Sequence, residues 1–87
     1  MNLLLVSKKR GKLMKPYNYK VIIEECEEGG FYAGCPAFPG CHVEGETYEE
    51  TMKEMKEAVK NFIEDYRSRN EEFPSDNFLV TSIQIAV

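Results

Sequence analysis

Between Tyr17 and Glu25 apolar and polar positions alternate. Tyr17, Tyr19, Val21 and Ile23 share one side at period two, and the run is rich in aromatic and β-branched residues, which predicts a strand. Glu27-Glu28-Gly29-Gly30 follows as a turn signal. Phe31 to Cys35 reads as a second strand, closing a hairpin. Pro36-Ala-Phe-Pro-Gly40 is a tight corner, because proline donates no backbone hydrogen bond. A short third strand is expected around Cys41 to Glu44.

The pattern then changes period. Met52, Met55, Val59, Phe62, Ile63 and Tyr66 recur at helical spacing, opposite Lys53, Glu57, Lys60 and Glu64. Thr47 with Glu50 three residues later fits a capping box. Arg67 and Arg69 suit the negative pole of the helix dipole. Asn70 to Asn77 is a polar, proline-containing loop. Phe78 to Val87 alternates again, with Leu79, Thr81, Ile83, Ile85 and Val87 on one side, and predicts a last strand.

The expected fold is α+β: a three-stranded antiparallel meander, one helix, then a final strand. The helix must cover one sheet face, since its apolar stripe has nowhere else to go. A right-handed crossover would lay the last strand parallel to the first, giving the sheet order 3-2-1-4. Met14 could itself be an initiator, so residues 1–13 are read as an extension or extra strand, built on Leu3 to Val6, and residues 14–87 as the domain. An 87-residue chain of this design leaves sheet edges and one sheet face poorly covered, so a homodimer is expected.

Composition narrows the class. At 43% hydrophobic, the chain is ordinary for one small globular domain. No apolar run approaches the roughly 20 residues needed to span a bilayer. Leu3-Leu4-Leu5-Val6 is too short for a signal core, so a cytoplasmic protein without membrane association is expected. Charge is divided along the chain. Every charged residue up to Lys20 is basic, and all 15 acidic residues lie at or beyond Glu24. From Val21 onward the net charge is −10. Such a body repels nucleic-acid phosphates and suits a basic protein partner. The Lys8 to Lys20 stretch could touch nucleic acid by itself, or be a solvated charged tip.

Candidate chemistry is sparse. Cys26, Cys35, Cys41 and His42 are the only soft ligands, and they lack the close pairing of structural zinc sites. Neighbours on a strand point to opposite faces, so Cys41 and His42 could not easily share an ion or act as nucleophile and base. A Cys35–Cys41 bridge across the corner is conceivable, but buried thiols fit a reducing compartment better. Val21-Ile22-Ile23 offers no carboxylate for two-metal chemistry. Gly29-Gly30 lies in a hairpin rather than between strand and helix, so it cradles no phosphate. Hence no catalytic residue, metal ligand or cofactor is assigned, and an enzyme is not expected.

The stretch from Tyr19 to Pro74, "YKVIIEECEEGGFYAGCPAFPGCHVEGETYEETMKEMKEAVKNFIEDYRSRNEEFP", resembles HicB-type antitoxins. Pro36, Pro39, Gly40, Cys41, Gly45, Thr47, Glu49, Glu50, Ala58 and Pro74 match the family pattern in order. The resemblance implies a partly degraded ribonuclease-H-like fold without that enzyme's carboxylates. It also implies a partner: a HicA-like toxin, small, basic and mRNA-cleaving. Two departures stand out. Thr51 occupies a position where alanine is common, and the sequence to Val87 leaves no room for the C-terminal DNA-binding module of many HicB proteins. Direct nucleic-acid binding is therefore not expected. The expected docking residues are the acidic hairpin end, Glu24, Glu25, Glu27 and Glu28, with an apolar contact through Tyr32 and Phe38 as the alternative. An orphan HicB-like protein, or a nucleic acid-associated module using the basic stretch, is the runner-up.

Overall fold

The computed structural model describes residues 16–87. The Leu3 to Val6 strand and the boundary at residue 14 lie outside them. Three strands form an antiparallel sheet in the order β1-β2-β3: β1 (Ile22–Glu25), β2 (Phe31–Gly34) and β3 (His42–Gly45). One helix follows, α1 (Tyr48–Ser68). This is the α+β meander and helix that the periodicities predict. β1 is shorter than the alternating run, because residues 16–21 have no ladder partner. Tyr19, Val21 and Ile23 nevertheless pack toward the core, whereas Tyr17 is half exposed and meets Phe73 edge to face at 5.4 Å.

The proline corner is two consecutive turns. Phe38 N–H donates to Cys35 O and Cys41 N–H donates to Phe38 O, both at 3.0 Å. Pro36 and Pro39 take the second position of each turn, where a fixed φ near −65° is preferred. Gly40 follows Pro39 at φ +85°, the conformation a type II turn demands and glycine supplies cheaply. Between the prolines the corner drives Phe38 inward, to 1% exposure, against Tyr19, Phe62 and Tyr66 at ring-centroid distances of 4.9–6.2 Å.

Helix α1 begins at the expected Thr47 cap, with the returning bond of the capping box shifted one residue toward the strand. The Thr47 hydroxyl accepts from Glu50 N–H at 3.0 Å, and the Glu50 carboxylate reaches back to Glu46 N–H at 2.9 Å. It ends in a Schellman arrangement. Glu71 N–H donates to Tyr66 O and Asn70 N–H to Arg67 O, with Asn70 in the left-handed region at φ 58°. Met55 is fully buried, Phe62, Ile63 and Tyr66 pack partly buried against the core, and Met52 stays at its margin.

The helix does not lie centrally on the sheet. It packs on β3 and β2, and no Cα of the helix comes within 8 Å of a Cα of β1. Gly45 sets this placement. A Cβ there would stand 2.4 Å from Thr51 Oγ1, 2.9 Å from Thr51 N and 3.0 Å from Thr51 Cα. Thr51 is completely buried, and its hydroxyl donates to Thr47 O at 2.7 Å.

The final strand is a correction. Residues 78–87 form no strand, and every one of them is exposed. Among the described residues the place beside β1 is unfilled, so the sheet has three strands and not the order 3-2-1-4. The alternation that predicts a strand is real, but pairing is a non-local event that alternation cannot locate.

Gly45→Ala should lower stability by about 1–3 kcal/mol, the usual cost of overpacking against atoms that cannot yield, read as a lower urea midpoint with an unchanged slope. Met55→Asp should unfold the domain, since an unpaired charge at that depth costs several kcal/mol. A helical circular-dichroism signal retained at 25 °C would refute the second expectation.

Candidate partner-binding face

The pleat of the sheet sorts side chains onto two faces. The inner face carries Ile23, Ala33 and Val43 in one row, with the helix over the β2 and β3 members of it. Among the described residues no helix covers the outer face. Its rows are Ile22–Gly34–His42 and Glu24–Tyr32–Glu44. Tyr32 is therefore flanked by two exposed carboxylates, and its ring stacks on His42 with centroids 5.6 Å apart. Beside them lies a shallow depression of about 260 Å³, walled by Ile22, Tyr32, Pro36, Pro39 and His42. An aromatic ring, an aliphatic side chain and two prolines supply contact area, while Glu24 and Glu44 supply charge.

The acidic residues singled out from the sequence are all exposed, but they do not share a face. Glu24 is on the outer face. Glu25 pairs with Phe31 and points to the other side. Glu27 and Glu28 sit in the turn, which is closed by Gly29 N–H to Cys26 O at 3.0 Å and Cys26 N–H to Gly30 O at 2.9 Å. Glu44, Glu46 and Glu50 gather at the same end, around an open hollow that Glu28 also lines. Sequence spacing missed these three, because only the β2–β3 register brings them beside the turn. Phe38 is placed differently from Tyr32. It lies in the core and supports the outer face from beneath.

Thiol chemistry is muted by burial. Cys35 and Cys41 are free and buried. Burial pushes the Cys35 thiol up in pKa, outweighing the opposing amides of Ala37 and Phe38. Burial, then the neighbouring Cys35, pushes Cys41 up as well. Both therefore stay protonated and poorly nucleophilic near neutral pH. Cys41 Sγ rests 3.9 Å from Met55 Sδ, while the adjacent His42 faces outward.

A second feature is the junction where the chain returns to β1. Asp76, 6% exposed at its side chain, accepts from Lys20 N–H at 2.6 Å and lies 3.2 Å from Lys20 Nζ. Its other oxygen accepts from Phe78 N–H at 3.0 Å. Next to it the Tyr19 hydroxyl donates to Pro74 O at 2.6 Å. Burial opposes ionisation of Asp76, but the amides of Phe78 and Lys20 and the Lys20 ammonium together hold its carboxyl below the ordinary value. An aspartate two residues before an amide it can cap was the available signal, in a loop otherwise read only as polar.

The family model for the HicB_like antitoxin of bacterial toxin-antitoxin systems matches residues 19–85. A UPF0150 protein of Synechocystis sp. is 35% identical over 71 residues, covering 82% of this chain and 90% of its own. A UPF0150 protein of Thermoplasma acidophilum is 41% identical over 59 residues, covering 68% of this chain and 86% of its own. Antitoxin HicB 1 of Photorhabdus laumondii is 32% identical over 62 residues, covering 71% of this chain and 40% of that longer protein. The chain belongs to the HicB-like antitoxin family. That membership suggests a non-catalytic role and implies a toxin partner. Among the described residues no helix is long and apolar enough to cross a membrane.

The Asp76 junction predicts a specific pH dependence. Its native pKa lies below the ordinary 3.8, so its ionised contacts stabilise the fold above that value and are lost as pH falls through the native one. The difference in urea midpoint between wild type and Asp76→Asn should be constant from pH 7 to near 4 and narrow below. A difference that grows on acidification would refute this.

Proposed function

We propose that this protein neutralises a HicA-like mRNA-cleaving toxin by covering the toxin's RNA-binding surface. The observation that carries the reading is the outer sheet face. An antitoxin-family chain presents Tyr32 between Glu24 and Glu44, next to an acidic turn and, among the described residues, with no helix over it. Carboxylates docked there would compete with RNA phosphates for the same toxin lysines and arginines. Tyr32 and the depression beside it would supply the desolvated anchor that an interface of mostly charged groups lacks.

The reading also includes a partly degraded ribonuclease-H-like fold, kept as a binding scaffold without catalysis. Val21-Ile22-Ile23, where catalytic carboxylates would be needed, is apolar. It places the protein in the cytoplasm, where its toxin's mRNA substrate is, and makes it a homodimer because of its open sheet edges. No metal or cofactor has a part in it.

The test is binding to a basic HicA-like toxin encoded beside the gene. Association should slow by about tenfold or more between low and high salt, as expected for a steered encounter. Reversing Glu24, Glu25, Glu27 and Glu28 to lysine should leave the fold intact, since all four are exposed, and reduce the association rate comparably. Rates independent of salt, or full neutralisation by the reversed variant, would refute the electrostatic mechanism. RNA retained by the wild-type chain alone would favour the runner-up use of the basic stretch.

A further inference from the structure

Residues 78–87, Phe-Leu-Val-Thr-Ser-Ile-Gln-Ile-Ala-Val, contain no charge, proline or glycine. They have the composition of a strand, not of a solvated segment. Yet Leu79 is 90% exposed, Ile83 81% and Val80 67%, so both sides of the segment are bare. Among the described residues, none of the backbone hydrogen bonds outside helix and strands involves 79–87. A stretch of this kind left in water invites edge-to-edge association.

The same molecule has a matching vacancy. Among the described residues β1 is an edge strand, Ile22 is 46% exposed, and the helix stays off β1. Val21 and Ile23 face the core but are only half buried there, so apolar surface beside them lacks a cover. The other edge, β3, is less suited. Its end at Gly45 is already occupied by the helix start. The segment leaves the body next to the vacancy, because Asp76 is bound to Lys20, two residues before β1, and caps Phe78.

We propose that residues 79–87 of one copy add as a strand to the β1 edge of a second copy, and that the second copy returns the same contact. Among the described residues each copy has an open β1 edge and one departing segment, brought together by the Asp76 junction. A two-fold exchange fills the β1 edge of both copies and closes, leaving neither β1 edge nor a free segment to recruit a third chain. The segment's apolar side would lie over the half-buried Val21 and Ile23, where the helix does not reach. The exchange rests on the dimer part of the proposed function and not on toxin neutralisation.

The experiment compares wild type with Ile83→Lys/Ile85→Lys by sedimentation and hydrogen exchange. Both positions are exposed, so the variant should keep its helical signal. Wild type should sediment at twice the chain mass at micromolar concentration, with amides of 79–87 and of β1 protected at least tenfold over the variant. The variant should sediment as a monomer with both stretches exchanging freely. A wild-type dimer that survives the double substitution overturns the exchange but leaves dimerisation standing. A wild-type monomer overturns both, and protected 79–87 amides in that monomer would show the segment folded back on its own β1.

Discussion

The approach of Gly45 to Thr51 is the constraint on which the rest of this fold depends. Strand β3 and the start of α1 meet backbone to backbone, closer than any side chain would allow. Only two residues, Glu46 and Thr47, separate Gly45 from the first helical residue, so the contact fixes both where the helix begins and how it lies. Thr51 fits this space because its hydroxyl turns back to Thr47 O and is not left unpaired in the core. Its neighbour Met55 then falls on Cys41, and the apolar stripe continues to Phe62 and Tyr66 over Phe38. The helix is thereby committed to the β2–β3 side, and β1 is left open.

The proline corner completes the core from the other direction. In a chain this small few residues can be fully buried, and much of the stability must come from partly covered side chains. Phe38 concentrates that burial. Two turns bring a large ring to the point where sheet, helix and the Tyr19 approach converge, while flanking thiols fill the remaining small spaces. This explains why a motif rich in cysteine and proline beside a histidine serves as architecture. Its reactive groups are either buried and protonated or directed to the opposite face.

These two anchors also divide the surface by chemistry. The outer face is acidic with one aromatic centre, suited to a basic protein. The β1 edge offers Ile22 and Ile23 and, among the described residues, lacks a neighbouring strand, which suits a segment with the composition of residues 78–87. The Asp76 junction stands between them and orients the chain where it leaves the body. A protein with a limited core gains stability from whatever binds its native state, so occupancy of either surface should reinforce the fold.

The sequence by itself determined the elements whose causes are local. The Thr47–Glu50 cap, the helical stripe through Met55 and Phe62, the Pro-Gly corner and the alternation into Ile23 are short-range patterns. The resemblance to HicB-type antitoxins rested on the same residues. Exposure of Glu24, Glu25, Glu27 and Glu28 was legible too, because a charged turn has no reason to be buried. Tertiary structure alone decided what depends on register and on distant partners. It sent Glu24 and Glu25 to opposite faces, brought Glu44 beside Tyr32, sank Phe38, and made Asp76 a clamp on a residue 56 positions away. It also left residues 78–87 without a partner inside the described chain. Periodicity states which side of a strand is apolar, but the edge that receives it is fixed only by contacts far apart in sequence, or on another molecule.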